Sequence, residues 1–222
     1  MLPVKPKVYL ETSFIGYLTM RPQRDQKVAV HQEITIEWWE RRRNDFELFT
    51  SEVVVAEAER GDESAVQERR VILRETQRLS ASPAAELLVP ELLAATRLPP
   101  RVFADMAHVA LATVHGMQYL LTWNCRHIAN ATIQRAIVKA CRNRGYEPPV
   151  IARRKSSWES KDMWSDPVVE ETRKARVEAF GQFEENIHAF FEYLRERERE
   201  SGQATVTLQP NPPEVLAVPI PQ

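Results

Sequence analysis

The sequence has little cysteine and no long apolar run, and each shortage excludes a class of protein. Its 222 residues include two cysteines, Cys125 and Cys141, and its first residues, MLPVKPKVYLE, lack the apolar core of a signal peptide. We therefore expect free thiols and a cytoplasmic location. No apolar run is long enough to cross a bilayer, so we expect no membrane partner.

Net charge is also almost absent, at a formal −1 from 30 basic and 31 acidic residues. Basic clusters nevertheless occur at Arg41–Arg43, Arg142–Arg144 and Arg153–Lys155. This pattern neither demands nor excludes a polyanionic partner. The length is sufficient for one full core, and we expect one domain with an appendage.

The most informative stretch runs from Asp105 to Asn130 and reads DMAHVALATVHGMQYLLTWNCRHIAN. Apolar residues at helical spacing predict a helix that carries Asp105 and His108 one turn apart on the same side. The run Tyr119–Trp123 is short and rich in strand formers, so it predicts a buried strand. The strand is followed by Asn124, Arg126, His127 and Asn130. Ligands of open α/β sheets bind at such carboxyl ends of strands.

Strand and helix patterns alternate along the first two-thirds of the chain. Strands are predicted at 7–10, 46–50, 119–123 and 149–152, and helices at 14–18, 26–43, 51–57, 64–74, 87–96 and 131–144. Thr12 or Ser13 is expected to cap the first helix. The helix at 26–43 is expected to bury a stripe of Val30, Ile34 and Trp38. The alternation predicts an α/β fold, a parallel sheet flanked by helices on both faces.

Three acids and an amide stand at related places in this pattern. Glu11 ends the first strand, Glu57 lies on the helix after the second, and Asp105 and Asn124 flank a later strand. In a parallel sheet these groups can converge at one edge. Clustered carboxylates repel one another, and a divalent cation removes that conflict. Mg²⁺ prefers carboxylate oxygen and can activate a water beside a phosphate.

The segments VYLETSFIGYL, SEVVVAEAERGD and DMAHVALATVHGMQYLLTWNCRHIAN together resemble the successive motifs of PIN-domain nucleases, in particular the VapC-type toxins of bacterial toxin–antitoxin systems. The resemblance implies a PIN-like sheet at 1–152 and a Mg²⁺- or Mn²⁺-dependent endoribonuclease with an RNA substrate. It implies catalytic roles for Glu11, Glu57, Asp105 and Asn124, of which the three acids would hold the metal. Thr12, Ser13, His108, Arg126 and His127 would orient these groups or contact substrate. The family commonly has Asp at the first position and often at the fourth, where this chain has Glu11 and Asn124.

The remainder divides into a linker at 153–166, a long charged helix at 167–200 and a proline-rich tail at 201–222 that we expect to be disordered. The helix sequence, DPVVEETRKARVEAFGQFEENIHAFFEYLRERE, resembles the antitoxin partners of such toxins. Its aromatic stripe should pack into an apolar groove, in cis or on a dimer partner. Arg173 and Arg176 could then reach the acids and inhibit the site. The alternative is a dimerisation helix that never approaches it.

Other interpretations of single residues and of the function stay open. Glu11 could simply cap a helix, and His108 and His127 fit hydrogen-bonded structural histidines better than metal ligands, because no zinc-type spacing is present. Three functions follow from the sequence: a ribonuclease toxin restrained by a cognate antitoxin or its own C-terminal segment, a catalytically silent regulatory or assembly module, and a nuclease of DNA or of RNA maturation. A homodimer is expected.

Overall fold

The computed structural model of the chain describes residues 4–22, 24–152, 166–183 and 186–213. Most of the predicted linker, the basic cluster Arg153–Lys155 within it, and the last part of the predicted tail lie outside these ranges. Within them, no helix has both the length and the apolar character that crossing a bilayer requires.

The described residues form one six-stranded, wholly parallel sheet in the order β5-β4-β1-β2-β3-β6. The strands are β1 (Lys7–Leu10), β2 (Glu47–Ser51), β3 (Gln77–Leu79), β4 (Tyr119–Leu121), β5 (Val150–Ala152) and β6 (Thr205–Val206). The fold is therefore α/β with a parallel sheet, as the alternating pattern predicts.

Helices α1 to α9 flank the sheet in the part of the chain that is described. Their bounds are α1 (Thr12–Thr19), α2 (Gln26–Arg42), α3 (Glu52–Ala58), α4 (Glu63–Leu73), α5 (Pro83–Thr96), α6 (Phe103–Val114), α7 (Ala131–Asn143), α8 (Pro167–Phe180) and α9 (Ile187–Ser201). A 3₁₀ turn, Pro100–Val102, precedes α6, and another, Gly181–Phe183, follows α8.

Strand β1 lies in the middle of the sheet, between β2 and β4. The chain first builds outward from β1 through β2 and β3, and then crosses to β4 and β5 on the other side. This reversal makes the boundary between β1 and β4 a topological switch point, where a crevice opens at the carboxyl ends of the strands. Glu11 lies at that end, because its backbone N–H donates to the carbonyl of Leu121 at 3.1 Å.

The C-terminal segment packs onto its own chain. Phe180, Phe190 and Phe191 are fully buried in the same core as β1 and α6, and the rings of Phe190 and Phe103 meet edge to face at 4.9 Å. At its polar side, Arg197 of α9 donates to Glu52 of α3 at 2.7 Å. The predicted packing into an apolar groove thus occurs in cis, and it completes the core.

The prediction of one continuous helix from 167 to 200 is wrong. The 3₁₀ turn at Gly181–Phe183 ends α8, and Asn186 begins α9 by accepting a hydrogen bond from the N–H of Ala189. This cap lets α9 fold back against α5. The apolar spacing continues across the break, so it gives no sign of the reversal.

The tail prediction is also wrong for its first half. Thr205 and Val206 form the edge strand β6 beside β3, and Asn211 donates to the carbonyl of Gly116 at 3.1 Å. Strand β3 itself is missed by the sequence pattern, because its three residues include Gln77 and Arg78.

Two details of the first helices differ from expectation as well. The cap of α1 is Glu11, whose side chain accepts from the N–H of Ser13, so neither Thr12 nor Ser13 has that role. The residues of α2 that are buried are Val28, Gln32, Thr35 and Trp39, whereas the predicted stripe is only partly buried. Helix α2 therefore packs against the protein with the face that lies next to the predicted stripe.

Candidate functional site

Three carboxylates and one guanidinium meet in a buried cluster at the carboxyl ends of β1, β2 and β4. Glu11 directly follows β1, Glu57 lies on α3 after β2, and Asp105 lies in the first turn of α6. Each is at most 2 % exposed, and Arg176 of α8 is 5 % exposed. The structure thus brings together the three acids that strand-end placement singles out, with one of the two predicted arginines among them.

The guanidinium of Arg176 contacts all three acids at once. Its Nη2 donates to Glu11 Oε1 at 2.8 Å and to Glu57 Oε2 at 3.0 Å. Its Nε donates to the other oxygen of Glu57, and its Nη1 donates to Asp105 Oδ1. A planar guanidinium has its donors in a fixed fork, so each edge of the group matches a different carboxylate.

The electrostatic balance of the cluster depends on this arginine. Burial alone would raise the pKa of Glu57, but the neighbouring guanidinium of Arg176 is the main influence against burial, and that pKa is lowered to about 2. The pKa of Asp105 is lowered in the same way, by Arg176 and His127 against burial. Burial would lower the pKa of Arg176, yet Asp105 and Glu57 raise it well above its ordinary value. Glu57, Asp105 and Arg176 are therefore charged together at neutral pH.

Glu11 combines the two roles that its sequence position allows. Its Oε2 accepts from the N–H of Ser13 at 3.0 Å and from the hydroxyl of Thr122 at 2.9 Å, and Ser13 Oγ also donates to it. Its Oε1 faces Arg176. One oxygen therefore caps α1 and fixes the carboxylate, which leaves the other directed into the cluster.

Hydroxyl and amide groups hold the other two acids in place. Thr12 Oγ1 donates to Glu57 Oε2 at 2.5 Å. Asn124 Nδ2 donates to Asp105 Oδ1 at 2.6 Å, and His127 Nδ1 lies 2.8 Å from Asp105 Oδ2. Asn124 thus lies beside the acids, as its position after β4 predicts, and its amide points a hydrogen at Asp105.

His108 also belongs to the cluster. Its Nε2 lies 3.4 Å from Glu57 and 3.1 Å from Arg176 Nη2, and its Nδ1 lies 2.8 Å from the hydroxyl of Tyr9. Glu11, Glu57 and His108 each offer one ligand atom within 4.8 Å of the others, a spacing that could hold a metal ion. The sequence did not point to Tyr9. Its position two residues before Glu11 is the available signal, because residues i and i+2 of a strand share a face.

The remaining predicted site residues lie around the cluster. Arg173 forms an ion pair with Glu170, and its Nη2 is 3.4 Å from Asn124 Oδ1, so it does not reach the acids. Next to Asp105 is a cavity of about 190 Å³ whose lining includes His127 and four arginines, Arg101, Arg126, Arg173 and Arg176. Positive side chains therefore line the approach to a negative centre.

The donor set suits a cation, and the chain itself supplies one. Three carboxylates in contact carry more negative charge than the single Arg176 neutralises, and carboxylate oxygens are the ligands that hard divalent cations prefer. Arg176 donates to the same oxygens that such an ion would need. No protein-family model, curated protein or solved structure matches this chain.

Proposed function

We propose that the chain is a metal-dependent endoribonuclease of the VapC-type class, with a PIN-like fold and a site that its own helix α8 restrains. One observation carries the proposal. Three buried carboxylates from three separate elements converge on one point at the carboxyl edge of a parallel sheet, and the group at that point is a cation. A core built for stability alone rarely gathers three acids, because burying unpaired charge is costly.

Glu11, Glu57 and Asp105 are the residues that would hold a divalent cation, Mg²⁺ or Mn²⁺. Such an ion, when bound, activates a water molecule and stabilises the negative charge that develops on a scissile phosphate. Thr12 fixes Glu57, and Ser13 and Thr122 fix Glu11, through the hydrogen bonds described above. Asn124 fixes Asp105 in the same way. The acids are therefore already oriented before any ion enters.

The surroundings of the acids support a nucleic-acid substrate. Arg101 and Arg126 line the cavity beside Asp105, and His127 contacts Asp105 from the same side. Cationic side chains next to an acidic centre can bind the phosphates that flank the reacting one. We assign RNA as the substrate because the sequence motifs resemble those of ribonucleases.

The proposed restraint of the metal site by α8 rests on the contacts of Arg176. Since its guanidinium touches every acid of the set, an ion and Arg176 cannot share the centre. Release needs a movement of α8, which packs against α1 and α3. Helix α8 therefore acts as an internal inhibitor, and the active form is one in which Arg176 has left the cluster.

The test compares RNA cleavage by the full chain and three variants, with Mg²⁺, with Mn²⁺ and with chelator. Arg176→Ala should cleave RNA in the presence of metal at least about tenfold faster than the unaltered chain, because nothing then occupies the centre. Arg176→Ala combined with Asp105→Asn should be inactive. Lys174→Ala, which alters an exposed residue of the same helix, should behave as the unaltered chain.

A folded Arg176→Ala protein that cleaves no RNA with either metal would contradict the proposal. Cleavage of single-stranded DNA but not of RNA would keep the nuclease and replace the substrate. A second candidate, a catalytically silent regulatory or assembly module, is favoured by one observation: Arg176 satisfies the acids without any metal. That candidate predicts an Arg176→Ala protein without cleavage under every condition.

A further inference from the structure

One nitrogen of Arg176 lies within hydrogen-bonding distance of three different side chains. Its Nη2 is 2.8 Å from Glu11 Oε1, 3.0 Å from Glu57 Oε2 and 3.1 Å from His108 Nε2. Asp105 is held by the other terminal nitrogen, Nη1. The two terminal nitrogens of the guanidinium therefore mark two positions for a cation. The position at Nη2 is surrounded by two oxygens and an imidazole nitrogen.

The hydrogen bonds of His108 fix which of its ring nitrogens carries a hydrogen. Arginine can only donate, so Nε2 accepts from Arg176, and its lone pair points at the Nη2 position. Nδ1 then carries the hydrogen and donates to the hydroxyl of Tyr9 at 2.8 Å, which in turn is 2.7 Å from Ser51 Oγ.

This arrangement is the one that histidine metal ligands adopt. A ligating imidazole typically donates its second N–H to an oxygen, which fixes both the tautomer and the ring orientation. The separation of 3.4 Å between His108 Nε2 and Glu57 also suits two ligands of one ion, which lie about 3.0 to 3.5 Å apart when each is about 2.1 Å from it.

We propose that His108 is a metal ligand together with Glu11 and Glu57, and that this mixed nitrogen and oxygen set binds a divalent first-row transition metal such as Mn²⁺ in preference to Mg²⁺. Imidazole is a good ligand for transition metals, whereas Mg²⁺ requires hard oxygen ligands. The inference rests on the proposed metal-dependent function and identifies the ion. It adds His108 to the ligands at the Nη2 position, with Asp105 beside them at the Nη1 position.

Metal binding by the full chain with Arg176→Ala tests the assignment without any substrate. Mn²⁺ is titrated while the signal of the free ion is followed by electron paramagnetic resonance, and pulsed measurements detect nitrogen coupled to the bound ion. We expect nitrogen coupling and an affinity for Mn²⁺ at least about tenfold above that for Mg²⁺. Arg176→Gln, which keeps a polar side chain of similar length, gives the same test if Arg176→Ala does not fold.

Two further variants, each combined with Arg176→Ala, distinguish nitrogen coupling from His108 from coupling that comes from His127. His108→Gln should abolish the nitrogen coupling, weaken Mn²⁺ binding by about tenfold or more and change Mg²⁺ binding little. His127→Gln is the matched control, because His127 contacts Asp105 and should leave the coupling in place. Nitrogen coupling that is absent before the change, or that persists in His108→Gln, would overturn the assignment, as would equal affinities for Mn²⁺ and Mg²⁺.

The outcome is independent of the nuclease test. An Arg176→Ala protein that binds Mn²⁺ through nitrogen but cleaves no RNA would keep this inference and reject the ribonuclease. A protein that cleaves RNA with Mg²⁺ but shows no nitrogen coupling would keep the ribonuclease and reject this inference.

Discussion

Arg176 and Glu57 meet side by side in a fork. The Nε and Nη2 of Arg176 donate to the two carboxylate oxygens of Glu57, and both side chains are buried. A fork of this kind fixes direction as well as charge, so α8 can dock in one orientation only. Buried ion pairs add little stability compared with apolar side chains of similar volume, whereas breaking one is costly. The pair therefore suits a contact that fixes where α8 docks more than one that adds stability.

Removing Arg176 should change both the stability of the chain and its dependence on pH. Arg176→Ala leaves three buried carboxylates without their cation, so the free energy of unfolding at pH 8 should fall by about 3–5 kcal/mol. Without the guanidinium, burial and mutual repulsion raise the carboxylate pKa values, and the variant should therefore become more stable from pH 8 to pH 5.

The unaltered chain should respond to acid in the opposite direction. The pKa of Glu57 is lowered to about 2 in the folded state, so the stabilisation from its ionised form is complete above the ordinary value of 4.5. It is lost as pH falls from 4.5 towards 2, on the order of 3 kcal/mol. Denaturant unfolding at several pH values measures both profiles. Parallel profiles for the two proteins would contradict the charge balance described for the cluster.

The tail is held by a close backbone contact at Gly116, which can be tested with a matched pair of glycines. Gly116 has φ +63°, and a Cβ there would lie 2.4 Å from the carbonyl oxygen of Gln209. Gly145 has φ +79° but open space around its Cβ position. Both changes to alanine have the same kind of backbone strain, so the contact with the tail accounts for the difference between them.

Gly116→Ala should therefore lower the free energy of unfolding by about 1–3 kcal/mol more than Gly145→Ala does. Hydrogen exchange should also become faster at β6 in Gly116→Ala only, because the strand is anchored through the same segment. Equal losses in the two variants would show that the tail contact contributes nothing.

The site could be anticipated from sequence to the extent that it depends on strand ends. Glu11, Glu57 and Asn124 follow β1, β2 and β4 closely, and a parallel sheet aligns the carboxyl ends of its strands whatever the details of packing. The approach of Arg176 could also be predicted from the sequence. An exposed aromatic stripe on a helix must pack against the protein, and the helix turns that precede the stripe then lie close to the same surface.

Contacts that join distant parts of the chain could not be anticipated in this way. Strand β6 has only two residues, and its pairing partner β3 lies far away in sequence, so no local period marks either. The break after α8 depends on a cap at Asn186 inside a continuous apolar pattern. The link between Tyr9 and His108 requires the register of β1 against α6, which residue spacing does not contain.

His115 should make the attachment of the tail sensitive to acid. Its Nε2 donates to the carbonyl of Ser80 at 2.9 Å, and its Nδ1 accepts from the N–H of Leu208 at 3.1 Å, so the ring is neutral. Burial lowers the pKa of His115 below its ordinary value of 6.5. The contribution to stability is therefore complete above pH 6.5 and is lost as pH falls below it, because protonation removes the acceptor at Nδ1.

The amide of Leu208 reports this change. Its protection against hydrogen exchange, corrected for the intrinsic pH dependence, should fall in the unaltered chain below pH 6.5. His115→Gln retains a donor and an acceptor but binds no proton. The protection of the Leu208 amide in this variant should therefore stay constant over that pH range. Identical pH profiles for the two proteins would exclude His115 as the source.

Tyr17 and Asp166 form the contact that holds the beginning of α8. The hydroxyl of Tyr17 donates to Asp166 Oδ2 at 2.7 Å, and Asp166 Oδ1 caps α8 by accepting from the N–H groups of Val168 and Val169. Tyr17→Phe removes the hydroxyl and keeps the ring. The loss of one partly buried hydrogen bond to a carboxylate should favour opening of α8 by about 1–3 kcal/mol, which is roughly fivefold or more.

Hydrogen exchange along α8 measures that opening directly, and RNA cleavage measures its consequence under the proposed function. Both should increase in Tyr17→Phe, and cleavage should remain below that of Arg176→Ala because Arg176 still competes with the metal. Tyr146→Phe is the matched control, since Tyr146 follows α7 and takes no part in the contact with Asp166. Faster exchange without faster cleavage would show that α8 opens but that its opening does not limit activity, and unchanged exchange would show that Tyr17 does not hold the helix.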